Sequence, residues 1–284
     1  MKANVEELKK KLIYVKINNN NINLEYFPDF FIVGPQRTGT SWLYKNLDQH
    51  PQIFMSKPKE LFFFNKLRSK DDLRYRSDEL SWYLDFFMPE RFGQKMLKKK
   101  KKFRKIYLPK VRGEATASYS TLDPEIIKEI TILNPNIKII LLIRNPIDRA
   151  WSHAKKELSQ KQGRALESIT DDEFKDFFNQ SYQLKCARYT DNIDTWSEFL
   201  SEGNIFIGFF DDMKNNPEQL LFNVFSFLGV EDDQKFISSL AYEKVNSTEA
   251  SHIPRKYKLY LEELLKPELE KLEKRFGQFG LSSI

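Results

Sequence analysis

Cysteine is almost missing from this chain. Cys186 stands alone, so no internal disulfide can form, and a reducing compartment suits the sequence. Histidine is nearly as scarce: His50, His153 and His252 are scattered without ligand spacing, which gives a metal site no support. No apolar run reaches the length of a signal-peptide core or a membrane span, and residues 1–27 are charged and asparagine-rich. A soluble, cytoplasmic protein is expected. Internal repeats are also missing. At 284 residues and 40% hydrophobic the chain can bury a large core, so the expected division is an N-terminal extension over 1–26 and one domain over 27–284.

What is present starts at Phe30-Phe31-Ile32-Val33-Gly34-Pro35-Gln36-Arg37-Thr38-Gly39-Thr40-Ser41-Trp42-Leu43. It reads as a short apolar strand, a tight polar loop with two glycines, and a helix opening on hydroxyl residues. The backbone N–H groups of such a loop and of the first helical turn converge on one spot, where a phosphate or sulfate can replace water. Against the nucleotide-binding pattern G-x-x-x-x-G-K-[ST], Gly34, Gly39 and Ser41 fit, but position 40 is Thr where the lysine belongs. A cation sits inside the loop instead, at Arg37. A plain strand-to-helix turn, with Gly39 there for its backbone freedom, is the bland alternative.

A second element lies about a hundred residues on. Ile137-Lys138-Ile139-Ile140-Leu141-Leu142-Ile143 is a near-continuous apolar run, as a central parallel strand requires. It ends in Arg144-Asn145-Pro146, and Pro146 suits the start of the next helix. A P-loop nucleotidase would carry a metal-binding aspartate at that strand end. Here the place holds Arg144, with Ser152 about two turns down the helix, a pair suited to a second phosphate.

GPQRTGTSWL followed by RNPIDRAWSH resembles the sulfotransferases that use 3′-phosphoadenosine-5′-phosphosulfate (PAPS), most closely the bacterial members and the heparan-sulfate-type branch. The resemblance takes in Asn46–Ile53, Lys57–Phe64 and Gly113–Tyr119, and spans roughly residues 30 to 230. It implies a 5′-phosphosulfate cradle made by Gly34, Gln36, Arg37, Thr38, Gly39, Thr40, Ser41 and Trp42. It also implies a 3′-phosphate site at Arg144 and Ser152, with PAP as product and no metal. Arg37 stands where most of the family has lysine. A fixed cation there stabilises the charge growing on the leaving oxygen, and arginine does so by charge and hydrogen bonds only.

The same resemblance makes Glu60, just before Leu61-Phe62-Phe63-Phe64, the general base for the acceptor. A carboxylate against three phenylalanines would be partly desolvated and its pKa raised; pairing with Lys57 or Lys59 is the alternative. Glu114 and Tyr119 match a segment lining the acceptor cleft, although the lysine common there is replaced by Ala115-Thr116. Arg255 and Lys256 sit where relatives close a basic loop over the 3′-phosphate. His50 is expected to end its helix, and His153 to lie on a helix surface.

Strands are expected at 30–34, 111–114, 137–143 and 204–209, with an extended piece at 61–64. Helices are expected at 40–49, 79–88, 123–133, 146–160, 171–180, 185–202, 217–228 and 256–276. This alternation predicts an α/β fold, a P-loop-like parallel sheet flanked by helices on both faces. Its ligands would sit at the carboxyl ends of the strands. The run Lys95–Lys105 holds eight basic residues in eleven, either a solvated segment or an attractor for an anionic acceptor such as a polysaccharide. No nucleic-acid motif accompanies it. Three functions remain open on the residues alone: a sulfotransferase acting on a carbohydrate or other alkyl hydroxyl, a degenerate P-loop kinase, and a non-catalytic polyanion binder.

Overall fold

The computed structural model describes residues 5–19, 21–68, 75–91, 93, 107–243 and 252–277; the basic run 95–105 lies outside the described residues. Five parallel strands form one sheet: β1 Phe30–Gly34, β2 Ile53–Met55, β3 Val111–Ala115, β4 Lys138–Ile143 and β5 Ile205–Phe209. Their order is β2-β3-β1-β4-β5, which puts β1 at the centre between β3 and β4.

Alternation along β1 and β4 sorts their side chains between two cores. Phe31, Val33, Ile139, Leu141 and Ile143 join one cluster, with the helices Pro124–Leu133 and Tyr189–Ser197. Phe30, Ile32, Ile140 and Leu142 join the other, under the helices Thr40–Leu47 and Pro217–Leu228. Helices therefore cover both faces, and the all-apolar strands follow from that double burial. A third cluster joins the helices Pro146–Ala154, Asp171–Asn179 and Arg255–Phe276 through Trp151, Phe174, Phe178 and Tyr257. The chain crosses from β1 toward β3 on one side and reaches β4 on the other. That reversal opens a crevice beyond the strand ends, where such sheets take ligands.

Residues before 27 also belong to the packing. Leu8, Leu12, Val15 and Ile17 are buried in the first core, and the Glu129 carboxylate accepts the N–H groups of Ile13, Tyr14 and Val15 at 2.5–2.8 Å.

Most expected elements hold, but the helices Val5–Lys11 and Phe210–Asn215 were not expected and four further changes stand out. β2 was not expected, since three residues show no period. Residues 61–64 do not extend: Phe62 is left-handed (φ 57°) and a short helix Phe63–Lys66 follows. Their N–H groups bond to side-chain hydroxyls rather than to a strand, which removes the reason to extend. The helix expected at 185–202 is two, Ser181–Ala187 and Tyr189–Ser197, broken at Arg188. The one expected over 146–160 ends as an α-helix at Ala154 and continues as a π turn, Lys155–Ser159. No described helix is long and apolar enough to cross a membrane.

Candidate active site

The loop after β1 turns tightly because two of its positions exclude a side chain. A Cβ on Gly34 would lie 2.2 Å from the Ala117 carbonyl oxygen, and Gly39, at φ 97°, would press one to 2.7 Å from Met213 Sδ. Gly39 opens the Thr40–Leu47 helix with no side-chain cap, so the first-turn N–H groups are left for a ligand. Thr38 is fully buried and its hydroxyl donates to the Pro35 carbonyl at 2.7 Å, bracing the loop from beneath. Arg37 itself is left-handed (φ 72°), a costly conformation for a side-chain-bearing residue. It is held at both ends. Its Nε donates to Ser152 Oγ at 2.9 Å, and its carbonyl accepts Arg144 Nη1 at 3.0 Å.

Arg144 leaves the end of β4 beside this loop. Asn145 caps the next helix by accepting the Ile147 N–H at 2.9 Å, and Pro146 fills its first turn. That start directs Ser152 back toward Arg37. The Arg144 guanidinium lies 4.4 Å from the Phe210 ring centroid, and its buried Nε has no hydrogen-bond partner among the described residues. Burial pushes both guanidinium pKa values down, and for Arg37 the nearby Arg144 adds to the effect. Two desolvated cations and an uncapped helix start face one cavity of about 510 Å³. This arrangement fits a bound nucleotide phosphate or phosphosulfate.

A second cavity, of about 660 Å³, adjoins the first. Gln36, Glu60 and Lys156 line both. Glu60 thus stands at the junction, its side chain 33% exposed, accepting from Lys59 Nζ at 3.2 Å. The aromatic run does not wrap it, because Phe63 and Phe64 turn into the core. Lys59 Nζ also reaches Thr40 Oγ1 at 3.4 Å, on the donor side. Lys156 comes from the π turn, and burial followed by Arg37 lowers its pKa.

Residues 27–264 match the family described as the sulfotransferase domain. The chain belongs to this family. It is 27% identical over 233 residues to the mouse bifunctional heparan sulfate N-deacetylase/N-sulfotransferase 4, covering 77% of this chain and 24% of that protein. Human bifunctional heparan sulfate N-deacetylase/N-sulfotransferase 2 is 25% identical over 231 residues, 76% and 23% of the two chains. The chain thus spans about a quarter of the length of these relatives. Among solved structures, the sulfotransferase from Alicyclobacillus acidocaldarius overlays with a TM-score of 0.60 at 20% identity, covering 87% of this chain and 94% of that one. Mouse sulfotransferase SULT7A1 complexed with PAP overlays at 0.51 and 18% identity, covering 90% and 89%. The fold is the sulfotransferase fold.

Within this fold the expected donor residues divide. Gln36, Arg37, Gly39, Thr40, Ser41, Trp42, Arg144 and Ser152 all face the first cavity, while Gly34 and Thr38 shape its floor. Arg255 and Lys256 do not reach it. They start a helix packed on Pro146–Ala154, and the Lys256 ammonium pairs with Asp171. Glu114 and Tyr119 line neither cavity: Glu114 on β3 and Tyr119 in the turn after it are both fully buried, and Ser118 and Thr121 face the second cavity instead. His153 is not a surface residue; it is buried, Nδ1 lies 2.9 Å from Gln183 Oε1, and burial lowers its pKa. His50 closes a structural site, accepting the Gln52 N–H while its Nε2 meets the Glu231 carbonyl at 2.9 Å.

Sequence reasoning missed Lys156. Its four-residue offset from Ser152, which puts both on one helix face, was the available signal. Among the described residues no group of three or more His, Cys, Asp or Glu is placed to hold a metal.

Proposed function

We propose that this chain is a PAPS-dependent sulfotransferase that sulfates a hydroxyl, or an amine, of a carbohydrate or other alkyl acceptor. One observation carries the reading: an anion cradle with two desolvated arginines opens, at Glu60, into a second cavity. PAPS would supply the activated sulfuryl group. Arg37 and the first turn of the Thr40–Leu47 helix would hold its 5′-phosphosulfate, and Arg144 with Ser152 its 3′-phosphate. Glu60 would take the proton of the acceptor as the new S–O or S–N bond forms and the bond to the phosphate oxygen breaks. Arg37 would meet the negative charge released on that oxygen, with Lys59 and Lys156 nearby.

The second cavity supports a polyhydroxylated acceptor. Its wall offers the amides of Gln36, Asn65, Gln180 and Gln183, the hydroxyls of Ser118 and Thr121, and the Phe62 ring. The relatives named for heparan sulfate favour the same class.

The test begins with thermal stabilisation by PAP beside adenosine 5′-monophosphate and ATP–Mg²⁺. A ligand at 100 times its dissociation constant adds about 2.7 kcal/mol, a clear shift. Stabilisation by PAP alone is expected, followed by transfer from radiolabelled PAPS to desulfated heparin. Stabilisation by ATP–Mg²⁺ with none by PAP would reinstate a kinase, which Thr40 and Arg144 already disfavour.

A further inference from the structure

Glu114 is a fully buried carboxylate that touches neither cavity, yet its surroundings lead straight to Glu60. The Thr116 hydroxyl donates to Glu114 Oε1 at 2.6 Å, the Tyr83 hydroxyl donates to Oε2, and Tyr119 adds a third hydroxyl. Two of these hydroxyls face the turn after Glu60. Thr116 Oγ1 accepts the Leu61 N–H at 3.1 Å and the Phe62 N–H at 3.5 Å, and the Tyr119 oxygen accepts the Phe64 N–H at 3.2 Å.

A hydroxyl has one proton. Once that proton is committed to the carboxylate, its lone pairs are left facing the backbone, so Glu114 sets the direction of both acceptors. The turn needs such holding, because Phe62 is left-handed at φ 57° and no glycine relieves it. Burial raises the Glu114 pKa to about 7, while the hydroxyl bonds hold it down.

We propose that Glu114 is a positioning residue, which through the Thr116 and Tyr119 hydroxyls fixes the 61–64 backbone and thereby aims the Glu60 carboxylate at the acceptor. This rests on Glu60 being the base of the proposed sulfotransferase. The network spans β3, the 117–121 turn and the segment after β2, so it ties the acceptor side to the rigid sheet.

The experiment compares Glu114→Gln, Thr116→Val and Thr116→Ser with the wild type, using PAP stabilisation as the control for folding. Amide hydrogen exchange needs no acceptor. In the first two variants the Leu61, Phe62 and Phe64 amides should exchange at least about tenfold faster while β1 amides stay protected, and Thr116→Ser should restore protection. With radiolabelled PAPS and desulfated heparin, kcat should fall about 10- to 100-fold at nearly constant KM, as expected when a catalytic group is displaced by about 1 Å. Glu114→Gln placed on Glu60→Gln should cost nothing further.

Unchanged exchange at the three amides overturns the proposal, as does a further loss in the double variant that equals the single one. Should Glu114→Gln not fold, the Thr116 pair decides the same question. The underlying reading fails in its own way. No stabilisation of the wild type by PAP would sink the sulfotransferase assignment, and wild-type turnover in Glu60→Gln would remove the base and this proposal with it.

Discussion

The two halves of the site are built differently. The donor half is made of backbone: a strand end, a glycine-bounded loop and an uncapped helix start, with Arg37 and Arg144 bonded across it. The acceptor half is made of side chains from separate segments, around 60–68, 118–126, 153–161 and 177–185. A backbone cradle can bind one chemical group and tolerates little change, since a Cβ at Gly34 already collides with Ala117. A side-chain wall can be rewritten one residue at a time without disturbing the sheet. Donor chemistry is therefore common across such a family while acceptor choice varies.

The sharpest way to break this division is Glu60→Gln, which should cut turnover about 10²- to 10⁴-fold, the range for removing a general base. PAP stabilisation should stay unchanged, measured by thermal shift beside the assay. A joint loss of turnover and PAP binding would mean that Glu60 belongs to the donor half. On the other side, Arg37→Ala should cost about 10²- to 10³-fold in kcat, as for loss of one preorganised donor to a developing anion. Arg37→Lys should recover most of it, because the position needs a cation above all.

The division also explains what the sequence disclosed. Fourteen consecutive residues, 30–43, hold the β1 strand, the loop and the start of the helix, so period, glycines and hydroxyls could be read together. Arg144 and Ser152 were legible for the same reason, being one strand end and one helix face. Glu114 and Tyr119 misled because a motif records neighbours in the chain, not which side of a strand faces the cavity. Both turn into the core, and Ser118 and Thr121 do the lining. The 61–64 run was apolar and looked extended. Its conformation is set by hydroxyls more than fifty residues away, which no local period can show. Lys156 shares a helix face with Ser152, but it lies in the π turn after that helix, where the helical period is a poorer guide.

Arg144→Ala should act on the donor half alone. A charged hydrogen bond is worth about 1.5–3 kcal/mol, so PAP affinity should fall about 10- to 100-fold by calorimetry. Binding of adenosine 5′-phosphosulfate, which lacks the 3′-phosphate, should change far less. Equal losses for both ligands would place Arg144 at the 5′ end instead. Lys156→Met lies on the boundary and should lower kcat by about tenfold, a smaller share of the same charge stabilisation because the lysine is shared between the cavities.

The smallest effect concerns pH. Glu114 has an ordinary pKa of 4.5 when exposed and about 7 when folded, because burial disfavours its charged form. Between those values the folded protein keeps a proton that the unfolded chain has lost. Stability from this group is thus full below about pH 4.5 and is lost as the pH rises through about 7. Glu114→Gln has no such proton. The melting temperature of the wild type relative to Glu114→Gln should therefore be higher at pH 5 than at pH 8, read from paired thermal melts without ligand. A difference that is flat with pH would mean that water or a cation reaches Glu114 and neutralises the cost of its charge. The acceptor half would then be less rigidly tied to the sheet than the donor half, and the aim of Glu60 would depend on its half-buried partner Lys59.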